Sequence, residues 1–324
     1  MGDGASPRAS MTDPGACAGG YALGIDLGGS SAKSVAVTPE GVVLARRQAD
    51  FDPESPMDWA RRIRSLVEEV RGDLGGEARA IGLAAPGLAA RDGRSIAFMP
   101  GRLHGLEGLD WTTYLGTDFV IPVLNDAHAA LLGEVWVGAA RGHRNAVLFT
   151  LGTGVGGAAM VDGQLLRGEI GRAGHLGHMS LDPHGAPDIC GAPGSVELVV
   201  GNCTVRERSG DRFATTHDLV RAYEAGDPVA AEVWLESVRG LAAAVASAIN
   251  VLDPAVVIIG GGIARSGKSL FEPLERFLER MEWRPGGHRA RILPAELGEH
   301  AGALGAASNA LQTAMGGGER GGGF

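Results

Sequence analysis

Cysteine is scarce, with three residues in 324, at Cys17, Cys190 and Cys203. That is too few and too scattered for a disulfide framework, and a reducing compartment is the simplest setting. No basic block stands out against a formal net charge of -9. This argues against nucleic acid or an acidic membrane as a partner held by charge. No apolar run reads as a membrane span, and the first twenty residues lack the apolar core of a signal peptide. A cytoplasmic location is therefore expected. Residues 1–20 and 316–324 show no hydrophobic periodicity and are expected to be disordered tails, with Met11 a candidate start.

Glycine, by contrast, is abundant, at 53 residues. Ala146-Val147-Leu148-Phe149 runs into Gly152-Thr153-Gly154-Val155-Gly156-Gly157, and Ala158-Ala159-Met160-Val161 follows. The pattern predicts strand, glycine turn over 152–157, strand. Ala22-Leu23-Gly24-Ile25, Asp26-Leu27-Gly28-Gly29-Ser30-Ser31 and Ser34-Val35-Ala36-Val37 repeat that layout. Gly28 and Gly152 lie 124 positions apart and Gly41 and Gly163 lie 122 apart, so the two turns stay nearly in step. The chain reads as two related halves, each opening on a hairpin whose bare tip lets a polyphosphate approach backbone N–H groups.

Between the hairpins, spacing predicts a helix over 58–70 with Trp59, Ile63, Leu66 and Val67 on one face. A buried strand follows at 80–84, then irregular chain over 88–110, then a short helix from Trp111 to Leu115. The apolar stretch Val120 to Leu124 stops at Asn125-Asp126, and Ala127 to Val137 reads as a helix. A strand end meeting a helix start is where open α/β sheets place ligand groups. Asn125 or Asp126 could also simply cap the helix. Residues 165–187 read as loop, 228–252 as a long helix, 256–259 as a buried strand, 270–280 as a helix, 291–293 as a short strand, and 301–315 as a small-residue helix. One rival motif is present. Gly262 to Ser269 matches the P-loop pattern of an NTPase. Only 55 residues follow it, and no later strand ends in the Asp that would hold Mg²⁺.

Taken in order, these pieces resemble the ROK family (repressors, open reading frames and kinases). They comprise Gly24 to Ser30, Leu124-Asn125-Asp126-Ala127, Gly152 to Gly157, Arg167-Gly168, Gly171 to Gly174, Gly177-His178 and Gly260-Gly261-Gly262. The resemblance spans about residues 21–315. It implies an α/β, two-domain actin-like or hexokinase-like ATPase fold with a duplicated core and a central cleft. The expected division is 21–125 and 126–300, with helix 301–315 returning to the first domain. It further implies a glucokinase-like kinase that uses ATP and Mg²⁺ to phosphorylate a hydroxyl of a sugar or polyol. Asp126 would be the general base. Asp26, with Gly28, Gly29 and Ser30, would face phosphate and the Mg²⁺ hydration shell. Gly152, Thr153, Gly154 and Gly156 would cradle phosphate, and Gly260, Gly261 and Gly262 would border the nucleoside. Asn125, His175, His178 and Glu197 would hold the sugar.

Two departures bear on the substrate and on metal. Where the family has a sugar-contacting Glu, this chain has His175, and an Asn expected near Phe98 to Gly101 is missing, so a shifted substrate is expected. The family's zinc pattern, a His followed by Cys-x-Cys-Gly-x-x-Gly-Cys, is here Asp188-Ile189-Cys190-Gly191-Ala192-Pro193-Gly194-Ser195 after His178. Two natural ligands remain where a structural zinc wants four, so no zinc is expected. Two other readings stay open, a non-catalytic sugar sensor of the same fold and a sugar-responsive repressor. The twenty residues ahead of the first hairpin lack a helical pattern, which weighs against the repressor. A homodimer is compatible with the resemblance.

Overall fold

The computed structural model describes residues 20–316; the expected tails beyond these, Met11 and Cys17 lie outside that range. Two five-stranded sheets carry the fold. In the first, β1 (Tyr21–Leu27), β2 (Ser31–Val37) and β3 (Val43–Asp50) are successive antiparallel neighbours. On the other side of β1, β4 (Ala78–Ala85) pairs in parallel and is followed by β7 (Val123–Asn125). Short strands β5 (Leu88–Ala89) and β6 (Ile96–Phe98) form a separate ribbon. The second sheet repeats the plan with β8 (Ala146–Leu151), β9 (Val155–Val161) and β10 (Gln164–Leu165), then β11 (Val256–Gly260) and β12 (Arg291–Pro294). The orders β3-β2-β1-β4-β7 and β10-β9-β8-β11-β12 match position for position. The internal duplication read from the two hairpins is therefore present in the sheet topology.

The helices are α1 (Asp58–Leu74), α2 (Trp111–Leu115), α3 (Asp126–Val137), α4 (Val196–Val200), α5 (Val205–Arg208), α6 (Thr216–Glu224), α7 (Pro228–Leu252), α8 (Lys268–Met281) and α9 (Ala301–Gly316). Helix α1 buries Trp59, Ile63, Leu66 and Val70 and ends on Gly75 in the left-handed conformation. Helix α7 starts on an Asp227 cap with Pro228 in its first turn. By length and composition α7 could cross a membrane, which the sequence reading missed. Its apolar residues are spent inside the protein, where Trp234, Val238, Leu241 and Val245 join the core over the second sheet.

Several boundaries moved. The strand expected over 120–124 pairs with β4 only from Val123 and runs on to Asn125, and Pro122, which has no N–H, stands just outside it. The irregular 88–110 stretch contains β5 and β6, and the 165–187 loop contains a single 3-10 turn at Leu176–His178. The P-loop match does not form a phosphate loop. Ile263–Ser266 is a 3-10 turn whose N–H groups are used internally, with Arg265 N–H donating to Gly262 O and Gly267 N–H to Ala264 O. The Ser269 hydroxyl, which would hold a metal in a P-loop, donates to Glu224 at 2.6 Å.

Helix α9 lies across β1 and β4 and also across α3. These crossings are backbone against backbone. A side-chain carbon on Gly24 or Gly82 would overlap the carbonyl of Ala303 or Ala306, and one on Gly305 would overlap the carbonyl of Ala129. Neither side can yield, because each is held in its own helix or sheet. Gly305→Ala is therefore expected to cost on the order of 2–3 kcal/mol through overpacking. Urea melts of wild type and variant would show it as a lower midpoint at unchanged slope; an unchanged midpoint would contradict this packing.

Candidate active site

Asp26 is the sixth residue of β1, and Asp126 is the first residue of α3, directly beyond β7. Both thus stand at carboxyl ends of parallel-paired strands, where loops leave the sheet. A side-chain carbon on Gly302 of α9 would strike the Asp26 carboxylate, so α9 closes over that residue. Burial raises the Asp26 carboxyl from 3.8 to about 7, the nearby Asp126 charge adds to the rise, and Lys33 opposes it. Lys33 sits across from Asp26 in the β1–β2 register and donates to Glu299 at 2.8 Å. Asp126 is open to solvent on one side. Protein surrounds it elsewhere, and desolvation raises its carboxyl too, opposed first by the Ala127 N–H and then by the His175 imidazole where that ring is protonated. Two carboxylates within reach of each other's charge make a site that gains from a bound cation.

Asn125 is buried and its amide is largely committed. Its Oδ1 accepts from Ala127 and His128 N–H at 3.0 and 3.3 Å, and its Nδ2 donates to Gly87 O at 3.0 Å. It caps α3 and so aims Asp126. Its side chain also hydrogen-bonds the Asp126 carboxylate.

The loop carrying His175 and His178 docks on β9 through glycine. A carbon added to Gly157 would meet Gly174 O and Leu176, and one on Gly177 would overlap Val155 O. The expected 152–157 turn is therefore shorter. Gly152, Thr153 and Gly154 form it, whereas Gly156 and Gly157 belong to β9. Their lack of side chain admits Thr150, Ala127 and the loop rather than phosphate. Gly260 is likewise a buried strand residue facing Ala295, which leaves Gly261 and Gly262 exposed beside the strand end. Gly28, Gly29 and Ser30 are exposed at the first tip.

His175 is half-buried and donates from Nδ1 to Arg172 O at 3.1 Å. Burial lowers its proton affinity, so near neutral pH it offers Nε2 as an acceptor. Its ring meets His128 edge-on at 5.6 Å. His128, which sequence reasoning passed over, is 2% exposed, and burial pulls its imidazole down to about 4. Its Nε2–H donates to Ala173 O at 2.8 Å, pinning the loop to α3. The signal was available, since His128 follows Asp126 by two residues on a helix whose buried residues are apolar apart from His128 and Glu134. His178 donates from Nδ1 to Asp188 at 2.7 Å, and its Nε2 lies 3.5 Å from Cys190 Sγ. Glu197, in the first turn of α4, accepts from Val155 N–H at 3.0 Å and lies against Gly154. The glycine turn is held on its far side as well, because Asn202 and Cys203 N–H donate to Gly152 and Thr153 carbonyls.

The profile of the ROK family matches residues 22–313. A glucokinase of Thermotoga maritima is 33% identical over 311 residues, covering 88% of this chain and 96% of that protein. An N-acetylmannosamine kinase of Yersinia pseudotuberculosis is 30% identical over 295 residues, covering 89% and 97%. A ROK glucokinase of Streptomyces griseus, solved with glucose and AMPPNP, superposes with a TM-score of 0.72 at 27% identity, covering 90% and 100%.

The Asp26 geometry has a consequence for stability. A carboxyl with a folded value near 7 and an ordinary value of 3.8 favours folding in its neutral form. Its ionisation therefore erodes stability as pH rises from about 4 to about 7, and the loss persists above that. Asp26→Asn removes the effect. The variant's melting temperature, without ligands, is expected to exceed wild type's by more at pH 8 than at pH 5; an equal gap at both would refute the shifted carboxyl.

Proposed function

The chain belongs to the ROK family, and from that premise we propose how its residues divide the work of a carbohydrate kinase. The enzyme phosphorylates a hydroxyl of a sugar with ATP, as the relatives' activities support. The observation that carries the site reading is the Asp26–Asp126 pair at matching strand ends, flanked by two exposed glycine tips.

In this reading Asp126 takes the proton from the attacking sugar hydroxyl. Its raised carboxyl makes it a better base than a free aspartate, and a cation nearby would favour its ionised form. Gly152 to Gly154 and Gly28 to Ser30 offer bare backbone to the phosphates, and Gly261 and Gly262 leave room for the nucleoside. The residues fit Mg²⁺ carried in by the nucleotide, because Asp26 is an underprotected carboxylate with only Lys33 to offset it. The bound cation neutralises phosphate charge; the chain's own part is alignment of acceptor, base and phosphate. Asp126 and the two tips border the cleft between 21–125 and 126–300.

On the acceptor side, Asn125, His175, His178 and Glu197 are the sugar contacts. His175 supplies one neutral acceptor in place of a carboxylate's two oxygens, which supports a sugar other than unmodified glucose. The His178 loop is read as free of zinc. The fold is read as acting in the cytoplasm without nucleic acid, and a homodimer remains compatible.

The test is a coupled assay of ADP release across hexoses, amino sugars including N-acetylmannosamine, and cyclitols. Asp126→Asn is expected to lower kcat about 10²–10⁴-fold for the best acceptor. Full turnover in that variant, or no acceptor-dependent turnover in wild type, would overturn the mechanism. His175→Glu is expected to raise kcat/KM for glucose relative to the best acceptor. A ratio unchanged from wild type would remove His175 from the specificity argument.

A further inference from the structure

Asp188 carries three hydrogen-bond donors on its carboxylate. Its side chain is fully buried, and among the described residues no Lys or Arg ion pair reaches it. Oδ2 accepts from His178 Nδ1 at 2.7 Å. Oδ1 accepts from Cys190 N–H at 2.8 Å and from Ala192 N–H at 2.9 Å. The buried Ser195, at the N-cap position of α4 but without a side-chain cap bond, lies beside it. One carboxylate thus joins the His178 turn to the 188–192 turn, next to the start of the helix that carries Glu197. The turn is tied further by Asp188 N–H to Ala192 O and Gly191 N–H to Asp188 O, both at 2.9 Å.

His178, Asp188 and Cys190 bring three donor atoms within 4.8 Å of one another, as a metal centre would. The hydrogen bonds decide against a zinc ion there. Both Asp188 oxygens are occupied, and His178 Nδ1 is spent on one of them. Only His178 Nε2 and Cys190 Sγ remain, two donors where a structural zinc takes four.

We propose that Asp188 is a positioning residue that stands where the family places zinc, fixing the orientation and tautomer of His178 and the seat of Glu197. The proposal rests on the reading of His178 and Glu197 as sugar contacts. An ionised carboxylate only accepts, so it holds the His178 proton on Nδ1 and leaves Nε2, 3.5 Å from Cys190 Sγ, as the accepting side of the ring. Buried polar partners of this kind orient a ligand-binding imidazole as the outer shell of a metal site does.

Asp188→Asn tests this with little change of shape. The Asn oxygen still accepts from Cys190 and Ala192. Its NH₂ now faces His178 Nδ1, two donors in opposition, so the His178 proton moves to Nε2. Nitrogen NMR of the imidazole is expected to show Nδ1–H in wild type and Nε2–H in the variant. This arm needs no turnover, so it survives even if the kinase reading fails. In the assay, KM for the best acceptor is expected to rise about tenfold, the loss of one hydrogen bond. KM for ATP should stay within about twofold and kcat within about threefold. Wild-type protein should hold far less than one zinc per chain and keep its activity after chelation. Asp188→Cys with Ser195→Cys supplies four zinc ligands with His178 and Cys190, and should take up one zinc per chain.

An unchanged tautomer in Asp188→Asn, or a flipped tautomer with unchanged acceptor KM, would overturn the proposal. So would an equal rise in KM for ATP, which marks general loosening. Stoichiometric zinc in wild type, or none in the double variant, would overturn the place assigned to Asp188.

Discussion

Close approach of bare backbone is the constraint on which the rest depends. Helix α9 reaches β1, β4 and α3 only because Gly24, Gly82 and Gly305 carry no side chain. The loop with His175 and His178 reaches β9 only because Gly157, Gly174 and Gly177 carry none. These two seams meet at the site. The first brings Gly302 down on Asp26 and seats the helix that begins with Asp126. The second brings His175 within reach of the Asp126 charge. Glycine costs conformational entropy in regular structure, and the fold accepts that cost because no other residue allows these distances.

The seams have an electrostatic result. Packing around Asp26 and on the protein side of Asp126 raises both carboxyls by desolvation, and their proximity adds to the rise at Asp26. A fold concerned with stability alone would place neutral side chains there. Positive charge would relieve that cost, and in the proposed reading a metal-bound nucleotide would bring it there. Lys33 is a weak stand-in, because its ammonium is shared with Glu299. The site is thus less comfortable empty than filled, as expected of a site shaped for a charged complex.

Much of this was legible in the sequence, and the parts that were not share a cause. The hairpins, their duplication, and the strand end at Asn125-Asp126 followed from alternation and from cap and turn chemistry. Those are local signals. Gly156, Gly157 and Gly260 looked like turn or ligand glycines and proved to be packing glycines inside strands. A glycine's sequence neighbours do not reveal whether backbone, side chain or ligand fills the space beside it. His128 was passed over for the same reason, since its partner, the Ala173 carbonyl, lies 45 positions away. Asp188 looked like a lost cysteine, and only the three donors around it show a function of its own. The Gly262–Ser269 match failed differently. Its pattern is right, but the segment uses its N–H groups on itself.

The donor and acceptor sides differ in how they are built. In the proposed reading, backbone at the glycine tips forms the donor side, which is indifferent to pH and suits a phosphate chain common to all nucleoside triphosphates. Side chains would form the acceptor side, and two of them are imidazoles whose Nδ1 atoms both donate within the protein. His175 gives its Nδ1 proton to Arg172 O, and His178 gives its own to Asp188. His175 therefore offers Nε2 as an acceptor without adding negative charge near Asp126, whereas the His178 Nε2 lies 3.5 Å from the Cys190 thiol. A pocket with a second carboxylate would raise Asp126 further and hold it protonated. Neutral acceptors select hydroxyl donors on the substrate while leaving the base free to ionise. Substituting His175 for a carboxylate changes more than sugar preference, because it also lowers the electrostatic cost of carrying the base.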